Sequence, residues 1–309
     1  MRGAFAKTLT ELARSDERIV LLTGDLGYMA LEPFKEQFPD RFFNVGVAEQ
    51  NMVGMATGLA EAGLLPFVYS IVTFATLRPY EFIRNGPVLH KLPVRVVGVG
   101  GGMEYGHNGA SHYGLEDIAV MRAQPGLTVV APADSAQTTT ALKKTFDLPG
   151  PIYYRLGKDD RQIVPGLDGA FELAKIERLR DGADVAIVTT GAISVEAIKA
   201  AEMLERDGIS SSVFVVSSFN PAPVEDLQTM LKPFSHVISL EAHYINGGLS
   251  SCVAEVIATA GLRCRLVPCA VKEQPEGVTG SQSFMYEKYG ISANAVWNAG
   301  KLLLSGARH

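Results

Sequence analysis

Apolar runs and amphipathic stretches alternate along almost the whole chain. Ile19-Val20-Leu21-Leu22-Thr23-Gly24 is continuous, apolar and closed by Gly-Asp, the pattern of a buried strand. Further strands are predicted at 65–69, 94–99, 128–131 and 151–155, with helical patterns at 48–62, 80–85 and 135–145 between them. From Gly157 to Gly182 the chain turns charged and irregular, with Pro165-Gly166 and Asp168-Gly169 as breakers. A second alternating series follows: strands at 185–189, 212–216, 236–240 and 264–267, with helices at 194–206, near 224–231, after Asn246-Gly247-Gly248, and on to about Leu304. The expected division is a first domain over 1–160, a linker over 161–182 and a second domain over 183–309. Strands that alternate with helices predict the α/β class: two domains, each a mainly parallel sheet flanked by helices.

Composition agrees with two cores. The chain has 309 residues, room for two domains of about 150 residues each, with 47% apolar and 20% charged positions. A net charge of -5 with no dense Lys/Arg block argues against nucleic acid or an anionic membrane as partner. No apolar run approaches the roughly 20 residues of a membrane span. Cys252, Cys264 and Cys269 form neither a disulfide framework nor a zinc cluster by number or spacing. They are expected to be reduced thiols in a cytoplasmic protein.

Three strings concentrate polar chemistry. In Arg41-Phe42-Phe43-Asn44-Val45-Gly46-Val47-Ala48-Glu49-Gln50-Asn51-Met52, Glu49 opens a helical run, where the backbone dipole favours an acid. Gly54, Gly58 and Ala62 follow on one face of that helix and leave room for another backbone, though small residues are also ordinary core filler. Thr73-Phe74-Ala75-Thr76-Leu77-Arg78-Pro79-Tyr80-Glu81 is the second string; taken singly, Phe74 reads as core. The third is Gly106-His107-Asn108-Gly109-Ala110-Ser111-His112-Tyr113-Gly114, a loop after a strand, where open α/β sheets bind ligands. No local carboxylate or Cys completes a metal site around His107 and His112.

Together these strings closely resemble the transketolase family, whose enzymes use thiamine diphosphate. The resemblance covers nearly the whole chain but only half of a full-length enzyme: the pyrimidine-binding domain followed by the C-terminal domain. It implies that Glu49 holds the cofactor's pyrimidine ring and switches on its carbanion chemistry by a proton or short hydrogen bond to the ring nitrogen. A buried carboxyl suits that task, since burial favours the protonated form. It implies that Phe74 stacks on the pyrimidine, that Tyr80 closes the same pocket, and that Asp25 and the adjacent Leu26 lie beside the thiazolium. His112 matches the histidine that faces substrate oxygens and donates to a developing oxyanion or relays a proton. Arg2 and Arg155 match arginines that grip a substrate phosphate. Leu240-Glu241-Ala242-His243 with Gly247-Gly248-Leu249 resembles a motif of the C-terminal domain and reads as structural.

The departures bear on substrate. The family's acid in the histidine loop is Asn108 here, which keeps a donor and an acceptor but no charge. Its phosphate-binding His is Gly100, and a Ser after Asp25 is Met29, so half of the phosphate clamp is absent. The Gly-Asp-Gly…Asn signature that holds diphosphate through Mg²⁺ is also missing; Gly24-Asp25-Leu26-Gly27 is the nearest string. The implied function is the C-terminal subunit of a split transketolase of carbohydrate metabolism, inert alone. It would move a two-carbon ketol unit from a sugar-like ketose donor to an aldehyde acceptor. The implied partner is an N-terminal subunit carrying the diphosphate and Mg²⁺ motif, in an α₂β₂ heterotetramer with the cofactor at the α/β interface. The rivals are the β subunit of a 2-oxo-acid dehydrogenase, a deoxyxylulose-phosphate-synthase-like acyloin former, and a catalytically silent regulatory subunit. The joint presence of Glu49, Phe74 and His112 argues against a silent chain; the loop around His112 favours transketolase, and Asn108 counts against it.

Overall fold

The computed structural model describes residues 1–305, so 306–309 of the expected second domain lie outside it. The first half opens with helix α1 (Arg2–Ser15), strand β1 (Ile19–Thr23), α2 (Glu32–Gln37) and β2 (Phe42–Asn44). Then come α3 (Glu49–Glu61), β3 (Leu65–Ile71), α4 (Val72–Thr76), α5 (Tyr80–Ile83) and β4 (Arg95–Val99). It closes with α6 (Asp117–Arg122), β5 (Thr128–Val130), α7 (Ser135–Thr145) and β6 (Ile152–Leu156). The second half runs β7 (Ile176–Arg180), β8 (Val185–Thr189), α8 (Ser194–Arg206), β9 (Ser211–Val216), β10 (Ser218–Asn220) and α9 (Val224–Leu231). It ends with β11 (His236–Tyr244), α10 (Leu249–Thr259), β12 (Arg265–Val271), α11 (Gln282–Lys288) and α12 (Ala293–Ser305).

The strands build two sheets, in orders β10-β5-β6-β4-β3-β1-β2 and β12-β11-β8-β9-β7. Strands β1, β3, β4, β6, β8 and β9 are buried at every position, as their unbroken apolar runs require when helices cover both faces. Two strands depart from the parallel rule. Residues 176–180, within the stretch expected as linker, form β7, antiparallel to β9 at the edge of the second sheet. Its sequence Ile-Glu-Arg-Leu-Arg is charged because an edge strand keeps one side in water. β10 crosses over from the second half and pairs antiparallel with β5, completing the first sheet. The helix expected over 80–85 is α5 followed by a π-turn at Arg84–Val88 that contains Pro87, whose missing N–H breaks the α ladder.

The halves share further polar ties. Tyr113 Oη donates to the carbonyls of Gly106 (2.9 Å) and Val278 (2.8 Å). Gly280 N donates to the Gly106 carbonyl and Tyr244 N to the Leu115 carbonyl. Glu241, fully buried, accepts from Leu249 N and Ser250 N and so caps α10. Gly248 has no alternative there, because a β-carbon would collide with Glu241 Oε2. Among the described residues no helix is long and apolar enough to cross a membrane.

Candidate active site

The polar strings converge at the carboxyl ends of β1, β3 and β4, the edge where parallel α/β sheets present ligand-binding loops. The turn between β2 and α3 is organised by Asn44. Its Oδ1 accepts from Asp25 N (3.1 Å) and Gly46 N (3.0 Å), and its Nδ2 donates to Asp25 Oδ1 (2.8 Å). Gly46 takes φ +72°, which glycine adopts without strain. The chain then enters α3 with Glu49 in its first turn. Gly24 lets β1 end against this turn, since a β-carbon there would lie 3.2 Å from Glu49 Oε1.

Glu49 is 1% exposed. Its Oε1 accepts from Ser70 Oγ at 3.1 Å, and its Oε2 pairs with Arg78 Nη1 at 2.9 Å. Arg78 comes from the segment after α4 and is 39% exposed. Its guanidinium carbon lies 3.9 Å from the centroid of the Phe74 ring. The Phe74 ring also meets His112 edge-on, centroids 5.1 Å apart. His112 Nδ1 lies 3.0 Å from Ser111 Oγ, and the Tyr105 ring is 6.2 Å from the His112 ring. A buried carboxylate, a half-buried aromatic face and a histidine thus adjoin one another.

The other expected site residues are placed as follows. Asp25 is exposed in a left-handed conformation, φ +60°, held by Asn44, and the carbonyl of partly buried Leu26 accepts from Thr23 Oγ1. Asn108 is exposed in the histidine loop. Tyr80 commits its hydroxyl to the Val120 carbonyl (2.9 Å) and to Gln124 Nε2, so that end points to α6. Arg155 is 5% exposed: Nε pairs with Asp117 Oδ2 (2.8 Å), and Nη2 donates to the carbonyls of Gly114 (3.0 Å) and Ala242 (2.9 Å). Arg2 lines a cavity of about 490 Å³ with Glu104, Lys158 and Arg161, and its Nε is buried without a partner among the described residues.

Four residues enter the site that the strings did not single out: Ser70, Arg78, Glu104 and Tyr105. Ser70 is the penultimate residue of β3, and position near a carboxyl strand end was the available signal. Tyr105 fills the space beside Gly100, where a β-carbon would collide with its ring. Lys158 Nζ lies 4.6 Å from the Tyr105 ring centroid. Burial pushes the Glu104 carboxyl up to about 7, against the Lys158 N–H it accepts and the nearby Arg155. The donor set around Glu49 and Phe74 fits an aminopyrimidine, which needs one carboxyl, one aromatic face and the close approach that Gly24 allows. Among the described residues no three His, Cys, Asp or Glu side chains gather into a metal-binding group.

Comparison with known proteins gives a consistent picture. Residues 1–162 match the family model "Transketolase, pyrimidine binding domain" and residues 174–296 match "Transketolase, C-terminal domain". An apulose-4-phosphate transketolase subunit of Phocaeicola vulgatus is 34% identical over 300 residues, 96% of this chain and 94% of the relative. A 6-deoxy-6-sulfo-D-fructose transketolase subunit of Clostridium sp. is 34% identical over 306 residues, 97% and 92% of the two chains. A solved split-gene transketolase, an inactive β4 tetramer, superposes with TM-score 0.87 at 36% identity, covering 98% of this chain and 97% of that one.

Proposed function

Since this chain belongs to the transketolase family, we propose that it is the C-terminal subunit of a split, thiamine-diphosphate-dependent transketolase. The reaction is transfer of a two-carbon ketol unit from a sugar-like ketose to an aldehyde. One observation carries this reading: a fully buried carboxylate, Glu49, stands beside the Phe74 face in a chain matched over nearly its full length by transketolase subunits.

When bound, thiamine diphosphate supplies the electron sink that lets a carbon–carbon bond next to a carbonyl break. The protein's part is positional and electrostatic. Glu49, held by Ser70, presents its carboxyl to the pyrimidine nitrogen, and Phe74 gives the ring a flat surface to stack on. His112 packs edge-on against Phe74, where its imidazole can donate to a substrate oxygen or carry its proton. Asp25 and Leu26, which follow the end of β1 at the same edge, are assigned to the cofactor, and Asn108 and Arg2 to the substrate.

Mg²⁺ and the diphosphate are assigned to an N-terminal partner subunit in an α₂β₂ assembly. Supporting that, α3 turns Gly54 and Gly58 outward. Exposed Val47, Met55, Phe82 and Leu89 lie on the same helix, its N-terminal turn or the segment after α4. A groove of about 320 Å³ runs between α3 and the 80–88 segment. Three free cysteines suit a cytoplasmic enzyme.

The test mixes this chain with the partner subunit and measures cofactor binding and ketol transfer. Cofactor should bind tightly only in the mixture. Glu49→Gln should lower turnover by about 10²–10⁴-fold, the usual contribution of a positioned acid or base. Unchanged turnover in that variant would remove Glu49 from the mechanism.

A further inference from the structure

The Glu49–Arg78–Phe74 group holds a contact that a cofactor would have to break. Arg78 stands between the buried carboxylate and the open side of the site. Its planar head does two things at once: Nη1 bonds Glu49 Oε2 at 2.9 Å, and its central carbon lies 3.9 Å above the Phe74 ring. A flat nitrogen heterocycle in this pocket would make the same two contacts, a hydrogen bond to the carboxyl and a stack on the phenyl face. Both cannot be satisfied by two groups together. From this competition we infer that Arg78 is the stand-in for the cofactor's pyrimidine in the unloaded subunit, and that loading displaces it. The inference rests on the pyrimidine site proposed above.

The energetics give the arrangement a purpose. Glu49 is buried, and a buried carboxylate left without a counter-charge is strongly unfavourable. Ser70 satisfies one oxygen, and Arg78 satisfies the other. The cation holds the carboxylate in place and keeps the ring face covered until the heterocycle arrives. Arg78 can leave because it is 39% exposed. Loading then selects the fraction of molecules whose Arg78 has swung out, and apparent affinity falls by that fraction.

The test is calorimetric titration of thiamine diphosphate with Mg²⁺ into the assembled two-subunit complex, comparing wild type with Arg78→Met, Glu49→Gln, Phe74→Ala and the double variant Glu49→Gln/Arg78→Met. Arg78→Met is expected to bind about tenfold more tightly, because the occupied state no longer competes. In the Glu49→Gln background the same change should have almost no effect, since Arg78 acts through Glu49. Arg78→Lys, which keeps the cation and loses the flat head, should fall between wild type and Arg78→Met; it also serves if the Met variant does not assemble. Unchanged or weaker binding in Arg78→Met, with Glu49→Gln and Phe74→Ala both impaired, would overturn the stand-in and leave the pyrimidine site intact. Binding indifferent to Glu49→Gln and Phe74→Ala alike would overturn both.

Discussion

Glu104 shares its loop with Tyr105 and His112, and burial pushes its carboxyl from 4.5 up to about 7. The folded state therefore holds a proton that the unfolded chain has lost, and stability falls as pH climbs from about 4.5 toward 7. Glu104→Gln keeps an acceptor for Lys158 N–H and never ionises. Thermal unfolding of the two proteins should nearly coincide at about pH 4, below the unfolded carboxyl value, and at pH 7.5 the variant should lead by about 1–3 kcal/mol. A pH-independent gap would remove this residue from the titration. Residues of this kind are hard to read in a sequence. Glu49 was legible because its string is local: Asn44, Gly46 and Glu49 build one turn. Arg78 lay inside a string already noted, but its role needs α3 and the segment after α4 to meet in space. Arg155 was legible as a candidate and not as a buried group, because Ala242, which accepts from it, comes from the other half of the chain.

At the level of elements, the buried parallel strands were readable as continuous apolar runs, since burial on both faces leaves no reason to alternate. β7 and β10 were not: one is charged along a solvent edge, and the other has only three residues, Ser-Phe-Asn. The loop from β4 to α6 carries His112, and its shape is set largely from outside itself. Tyr113 ties it to Gly106 and across to Val278. Tyr113→Phe removes a buried donor and leaves both carbonyls short, at a cost of about 1–3 kcal/mol. The expected result is faster hydrogen exchange in residues 104–114, with the β-strands unchanged. Uniform loss of protection through the whole chain would instead mark Tyr113 as a global support.

For the whole molecule, Arg155, paired with buried Asp117 in its own half, reaches across to the Ala242 carbonyl of the other half and so works as a clasp between them. Removing one partner of such a pair strands the other charge, so Arg155→Met is expected to destabilise the protein by about 3–5 kcal/mol in calorimetry. A raised KM for a phosphorylated substrate with unchanged stability would instead make Arg155 a substrate ligand. β10 binds the halves in a different way, by donating a strand. Ser218 pairs with Val130, 88 positions earlier (218 − 130), so β5 has no neighbour on that side until much later sequence exists. At about 5–20 residues per second the ribosome needs roughly 4–18 s to make that stretch. Throughout that interval the nascent first domain carries an open edge of Thr128-Val129-Val130, a ready template for another chain. The crossing strand therefore sets a window of vulnerability during synthesis, in which a chaperone or speed of translation governs yield more than the stability of the finished fold.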